Sequence, residues 1–313
     1  DVGQGDSILI QFPSGQSMLI DAGEDTNTVT SYLKSQGVKR IDHVIATHPH
    51  ADHIGGMANV INSFEIGNVY MPRTTHTTKT YENLLLAIKN KGLKINAAKA
   101  GLNIDVGSDV NTQMVAPNSQ GYDDLNNYSA VLRVQYGDTS FLFTGDAEAV
   151  SENEMINSGY TLKSDVLKVG HHGSNTSTTS TFLKAVSPKY AVVSSGKGNK
   201  YGHPHQEVLA RLNNAGVKVY RTDEVGTVIA ESDSKTITFN KQSSQIKERA
   251  PTTPKPVPAP TTPSSGKYIG NKNSKKLHLP SCRSLPAPKN RVFFNSREEA
   301  INSGYVPCKI CKP

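Results

Sequence analysis

The sequence predicts an α/β domain with helices packed over sheets, followed by a flexible tether and a small C-terminal module. Three observations predict it. Residues 1 to about 242 alternate short β-branched runs with amphipathic stretches, residues 243–266 turn abruptly to Pro and Thr, and all three cysteines lie beyond that turn. Layered strands and helices of this kind bury their apolar faces against one another.

Strands are expected at Ser7–Gln11, Ser17–Asp21, His43–Thr47, Asn68–Met71, Ala130–Tyr136, Ser140–Thr144, Val166–Val169, Tyr190–Ser194, Lys218–Arg221 and Thr227–Ser232. Each is rich in Val, Ile, Leu or aromatic residues and is bounded by Gly, Asp, Asn or Ser. Thr26–Gln36, Thr80–Lys91, Ala147–Ser158, Thr178–Ala185 and Gln206–Ala215 carry apolar faces at helical spacing. From 243 to 266, repeated prolines remove backbone donors and favour extended geometry, so this stretch reads as a semi-rigid tether. Residues 267–313 are few enough to need a metal or another staple.

The net charge of +7 is unevenly spread: −4 over residues 1–240, +3 over 241–266 and +8 over 267–313. Such a tail suits a polyanion or acidic surface, nucleic acid above all; a cell-wall polymer or a protein is the competing partner. An odd number of cysteines argues against a disulfide framework. No apolar run reaches the roughly 20 residues that span a bilayer, so no transmembrane segment is expected. The chain opens inside a strand-and-turn pattern, as a segment trimmed from a longer protein does.

The strongest chemical signal is Thr47-His48-Pro49-His50-Ala51-Asp52-His53-Ile54-Gly55-Gly56, in a loop after an apolar strand. His48 and His50 can aim two imidazoles at one metal, and Asp52 and His53 can turn toward a second; zinc suits such donors, as do manganese and iron. Three later strand ends carry further candidates: Asp146, His171 with His172, and His203 with His205.

These motifs resemble the metallo-β-lactamase superfamily. Asp1-Val2-Gly3-Gln4-Gly5-Asp6-Ser7, Leu19-Ile20-Asp21-Ala22-Gly23, His171-His172-Gly173-Ser174 and Tyr201-Gly202-His203-Pro204-His205 are similar, more narrowly, to the hydrolase domain of ComEC-type competence proteins. The resemblance covers residues 1 to about 240. It implies an αββα sandwich with a dinuclear metal site along one edge, held by His48, His50, Asp52, His53, Asp146 and His171, with His172 a further candidate. Asp21 would brace the metal loop. It also implies a secreted or cell-surface bacterial protein.

One departure from the superfamily pattern concerns the third histidine of the first metal. Asn126-Asn127-Tyr128-Ser129 stands where it is expected, so Asn127 or Ser129 becomes a weaker oxygen ligand and manganese a candidate beside zinc. His76, the only histidine between His53 and Asp146, falls too early in the chain. In the tail, His278, Cys282, Cys308 and Cys311 have the spacing of one structural zinc site and resemble the Ada-type zinc-binding domain, with His278 at the position of the methyl-accepting cysteine.

The mechanism expected is attack by a hydroxide generated between two divalent cations about 3.5–4 Å apart. Asp52 would orient that nucleophile, and His203 and Lys168 would donate to a phosphate or protonate the leaving oxygen. A phosphodiesterase or nuclease is the leading function. Hydrolysis of a small ester, lactone or lactam is the alternative, and a non-catalytic binding protein on a hydrolase fold is the third.

Overall fold

In this computed structural model the described residues are 1–25, 27–107, 109–244, 268–294, 296–302, 305–308, 310 and 311. The chain divides into two compact units, Asp1–Lys247 and Glu248–Pro313. The expected tether lies outside the described residues from 245 onward.

The first unit is a four-layered αββα sandwich. One sheet runs in the order β1 (Ile8–Gln11), β2 (Ser17–Ile20), β3 (Arg40–Ile45), β4 (Glu65–Pro72), β5 (Ile95–Ala98); β1 is antiparallel to β2, and β2 to β5 are parallel. The other runs β6 (Val110–Ala116), β7 (Val131–Tyr136), β8 (Thr139–Phe143), β9 (Val166–Lys168), β10 (Tyr190–Val193), β11 (Lys218–Arg221), parallel from β8 on. A hairpin of β12 (Ala230–Ser232) and β13 (Ile237–Phe239) follows.

Period-two alternation assigns each strand residue to a layer. Leu19, Val44 and Val69 face α1 (Thr28–Ser35), α3 (Met57–Ser63) and α4 (Lys79–Asn90), packing on Leu33, Met57 and Leu84. Their neighbours Met18, Ile20, Ile45 and Tyr70 meet Met114, Leu132 and Val134 between the sheets. Leu142, Leu167 and Val193 pack outward against Met155 of α5 (Ala149–Asn157), Phe182 of α6 (Ser180–Val186) and Leu209 of α7 (Gln206–Asn214). Strands buried on both faces, such as β2 and β9, read as near-continuous apolar runs.

Four elements near the site, β5, β6, α2 (Ala51–Ile54) and α3, were not anticipated. β5 and β6 lie between expected elements, and the Ala51–Gly56 stretch expected as loop forms α2 and, after Gly55-Gly56, leads into α3. Asp52 and His53 therefore sit on a helical turn that fixes their directions relative to His48 and His50.

Candidate metal centre

The parallel strands of both sheets end at one edge, and their following loops carry the expected residues. Asp21 follows β2, Thr47–His50 follow β3, Asp146 follows β8, His171 and His172 follow β9, and the 196–205 loop follows β10. β1 runs antiparallel, so its leading residues Gly3–Asp6 reach the same edge. Ligands in open α/β sheets bind at such carboxyl ends. Backbone meets backbone here: a Cβ on Gly5 would strike the Asp52 carbonyl, and one on Gly55 the Glu24 carbonyl. Only glycine permits that approach.

Asp146 stands at the centre. Its Oδ2 lies 3.2 Å from His53 Nε2, 3.4 Å from His172 Nε2, 3.7 Å from His171 Nε2 and 3.9 Å from His48 Nε2. His48 Nε2 is 3.0 Å from His50 Nδ1. Asp52 Oδ2 is 3.2 Å from His172 Nε2 and 3.9 Å from His53 Nε2. His171 and His172 adopt left-handed φ of 45° and 54°, strain of a kind concentrated at functional sites. That turn sends His172 inward and leaves His171 Nδ1 3.1 Å from Glu148.

Hydrogen bonds behind the cluster set the tautomers. Asp21 is fully buried; it accepts the Thr47 N–H at 2.8 Å, the Thr47 hydroxyl at 2.6 Å and His53 Nδ1–H at 2.7 Å. Because the Thr47 hydroxyl donates to Asp21, its oxygen accepts His48 Nδ1–H at 3.1 Å. The Ser194 carbonyl accepts His172 Nδ1–H at 3.0 Å. All three rings thus present an Nε2 lone pair to the same space.

A cation fits that space. His53 and His172 hold Nε2 atoms 3.3 Å apart, where two lone pairs repel, and Asp146 Oδ1 is buried without a hydrogen-bond partner. Burial opposes charge on His53 and His172, yet the carboxylates of Asp146, Asp21 and Asp6 outweigh it and hold both pKa values well above the ordinary histidine range. Burial likewise opposes ionisation of Asp146 and Asp52, but their histidine neighbours keep both carboxyls low. His48 is driven well below its usual value by burial and by His53. The centre therefore demands positive charge, which imidazole and carboxylate donors of this kind accept as a divalent cation.

Not every expected residue reaches the centre. Lys168, expected to touch substrate, is buried: its Nζ is 2.8 Å from Asp6 Oδ2 and donates to the Val169 carbonyl at 2.7 Å. A cation with both partners inside the fold holds Asp6 in place instead. Asn127 spends its Oδ1 on the Ser151 N–H at 3.1 Å, at the start of α5. Ser129 stands beside His48 Nδ1 at 3.4 Å, and its Oγ accepts the Asp146 N–H, so it supports two donors from behind. His205 Nδ1 accepts the Asn175 N–H at 3.0 Å.

His203 is on the rim, its ring centroid 5.6 Å from that of His171 and 6.3 Å from that of His172. Burial and those two rings lower its pKa to about 4, so it is neutral near pH 7. The Gly196 N–H donates to Gln4 Oε1 at 3.2 Å, which turns the Gln4 amide nitrogen toward His203 Nδ1 at 3.5 Å. The ring proton is then on Nε2. Asp6, Glu148 and His76 were not anticipated: Asp6 lies 3.3 Å from His172 Nδ1, and His76 packs edge-on to His50 at 6.0 Å. Asp6 carried a signal within the Asp1–Ser7 motif; His76, from a loop after β4, carried none in its spacing.

In the second unit, β16 (Arg291–Phe294), β14 (Tyr268–Asn271), β15 (Lys276–His278) and β17 (Val306–Pro307) form one sheet in that order, around Leu277, Phe294, Ala300 and Tyr305. His278, Cys282, Cys308 and Cys311 bring their ligand atoms within 4.8 Å of one another. The Leu279 N–H points to Cys311 Sγ and the Ile310 N–H to Cys308 Sγ, each at 3.4 Å, as thiolate ligands require. Three sulfurs and one imidazole nitrogen fit a closed zinc site.

Residues 1–197 match the family model of the Metallo-beta-lactamase superfamily. The chain belongs to that superfamily. Residues 264–313 match the Metal binding domain of Ada. The chain is 32% identical over 259 residues to "ComE operon protein 3" of Bacillus subtilis, covering 77% of this chain and 33% of that protein. It is 34% identical over 233 residues to "Competence protein ComA" of Neisseria gonorrhoeae, covering 73% and 31%. A shorter match, 30% identical over 101 residues and covering 30% and 32%, is to "Ribonuclease Z" of Archaeoglobus fulgidus. The chain thus spans about a third of the length of these relatives.

Proposed function

We propose that the protein is a metal-dependent phosphodiesterase that hydrolyses nucleic acid at the edge of its αββα unit. The observation that carries this reading is the convergence of His48, His50, Asp52, His53, Asp146 and His172 on one partly open space beside a neutral rim histidine. His48 Nε2, His50 Nδ1 and Asp146 would hold one divalent cation. Asp52, His53, Asp146 and His172 would hold a second, with His171 at its margin. Zinc or manganese bound there would supply Lewis acidity and activate water. Asp52, reaching from a helical turn, orients water against the cluster, and His203 Nε2–H donates to a phosphate oxygen or to the leaving oxygen. Asp21, Thr47 and Ser129 hold the donors in register.

One relative is named a competence protein, another a ComE operon protein and a third a ribonuclease; the last name favours nucleic acid over a small ester or lactam. In the layout we propose, residues 1–242 are the hydrolase domain, 243–266 a tether and 267–313 a zinc-stapled module. The module's +8 charge would bring a DNA polyanion to a cell-surface or secreted hydrolase whose own charge is −4.

The test is hydrolysis by the metal-replete full chain of single- and double-stranded oligonucleotides, beside a panel of lactams, lactones and esters. Metal-dependent oligonucleotide cleavage, lost in His50→Ala, is the expected result. Lactam or lactone turnover without cleavage of any phosphodiester would replace this reading with the small-molecule one.

A further inference from the structure

The loop from Gly196 to His205 contains Lys197, Lys200, His203 and His205 and no carboxylate. Asn199 makes four hydrogen bonds within it. Asn199 Oδ1 accepts the Tyr201 N–H at 3.1 Å and the His203 N–H at 3.0 Å, while its amide donates to the carbonyls of Gly196 at 2.8 Å and His203 at 2.6 Å. On this built loop Tyr201 is 54% exposed. Its ring lies nearly parallel to His203, at 23° with centroids 5.6 Å apart, and Lys200 Nζ is 5.1 Å from its centroid.

The rings of the centre follow in a row: His76, His50, His48, His53, His172, His203 and Tyr201, each within 6.3 Å of the next. Tyr201 ends the row, one ring beyond the rim histidine. An aromatic ring half in solvent, on a hydrogen-bonded loop, beside cations and next to a candidate phosphodiester site meets the chemical needs of a nucleobase. The ring contacts of Tyr201 are the His203 ring and the Lys200 ammonium.

We infer that Tyr201 is a stacking platform for the base flanking the scissile phosphate, with Lys200 as the cation that pairs with that strand's backbone. The base takes the ring face that Lys200 overhangs, and the exposed lysine swings to phosphate. Stacking is tolerant of sequence, so the platform selects a strand whose bases are free and not any one base. This inference rests on the nucleic-acid reading of the centre.

The test uses the full chain and phosphorothioate-linked single strands that resist cleavage, one normal and one abasic, of equal length. Wild-type protein should bind the normal strand about five- to a hundred-fold more tightly than the abasic one. Tyr201→Ala should collapse that ratio toward one, and Tyr201→Phe should keep it, since stacking needs the ring and not the hydroxyl. Lys200→Ala should weaken both strands alike and flatten the salt dependence of binding. A ratio unchanged in Tyr201→Ala would overturn the platform even if oligonucleotides are cleaved. Wild-type protein that binds neither strand would overturn the nucleic-acid reading and the platform with it.

Discussion

Replacing Asp21 with Asn changes one atom in a buried network, and its consequence can be worked through bond by bond. Asp21 has φ 56°, a conformation that Asn tolerates well, so the backbone is not strained by the change. The Thr47 N–H is an obligate donor 2.8 Å from Oδ1, so the amide oxygen of Asn must stay there. The amide nitrogen then replaces Oδ2, 2.7 Å from His53 Nδ1 and 2.6 Å from the Thr47 hydroxyl. His53 Nδ1 must become an acceptor, and its proton moves to Nε2, the atom aimed at Asp146 and His172. Binding a cation then requires displacing that proton, or leaving two buried donors facing each other at about 1–3 kcal/mol. Both routes predict metal affinity at the centre lower by about 10- to 100-fold, the range typical for loss of a supporting partner. Chelator competition with cobalt measures it, with thiolate-to-cobalt absorption of the C-terminal unit as an internal reference. Wild-type affinity at the centre in Asp21→Asn, with the fold intact, would refute the tautomer argument.

Lys168→Met should leave Asp6 buried without its cation and lower stability by about 3–5 kcal/mol in urea unfolding, the loss expected when one partner of a buried pair is removed; an unchanged urea midpoint would mean the lysine is not structural. Asp165 accepts from the Ser140 N–H and hydroxyl and pairs with Lys189, and against burial these partners hold its carboxyl below the ordinary value. Its folded pKa being the lower one, its stabilisation is present above the unfolded value and lost as pH falls through the folded one. The gap in urea midpoint between wild type and Asp165→Asn should therefore shrink from about pH 6 to about pH 3, and a constant gap would contradict it. In the C-terminal unit, chelation or Cys308→Ser should remove near-native exchange protection from Tyr268–Asn271 and Arg291–Phe294, and reduce affinity for long DNA at low salt; protection unaltered by chelation would exclude a zinc staple.

The reach of the sequence differed between elements for physical reasons. Strands such as Ser17–Ile20 and Val166–Lys168 are buried on both faces, so their composition announces them. β6 did not: Asn111, Thr112 and Gln113 interrupt it, and a register shift between Met114 and Ala116 breaks its alternation, so Met114 enters the inter-sheet core while Val115 and Ala116 face the helices. β5 is a half-exposed edge of Ile95-Asn96-Ala97-Ala98, too weak to read. The His48–His53 cluster was legible because its donors are crowded into six residues. Lys168 misled because a cation at a strand end looks available until its partner is seen, and Asp6 is remote in sequence. His76 could be recovered only in three dimensions, where a loop returns it to His50.

The αββα unit is expected to hold two cations around Asp146, independently of the tail. Metal content by mass spectrometry, on this chain purified without chelators, measures this directly when wild type, Asp146→Ala and Cys308→Ser are compared. Two ions are expected in the main centre and one in the C-terminal unit. Asp146→Ala should lose at least one of the two and keep the tail ion, and Cys308→Ser should lose only the tail ion. Metal content in Asp146→Ala equal to wild type, or a wild-type chain whose metal is all removed by Cys308→Ser, would contradict it.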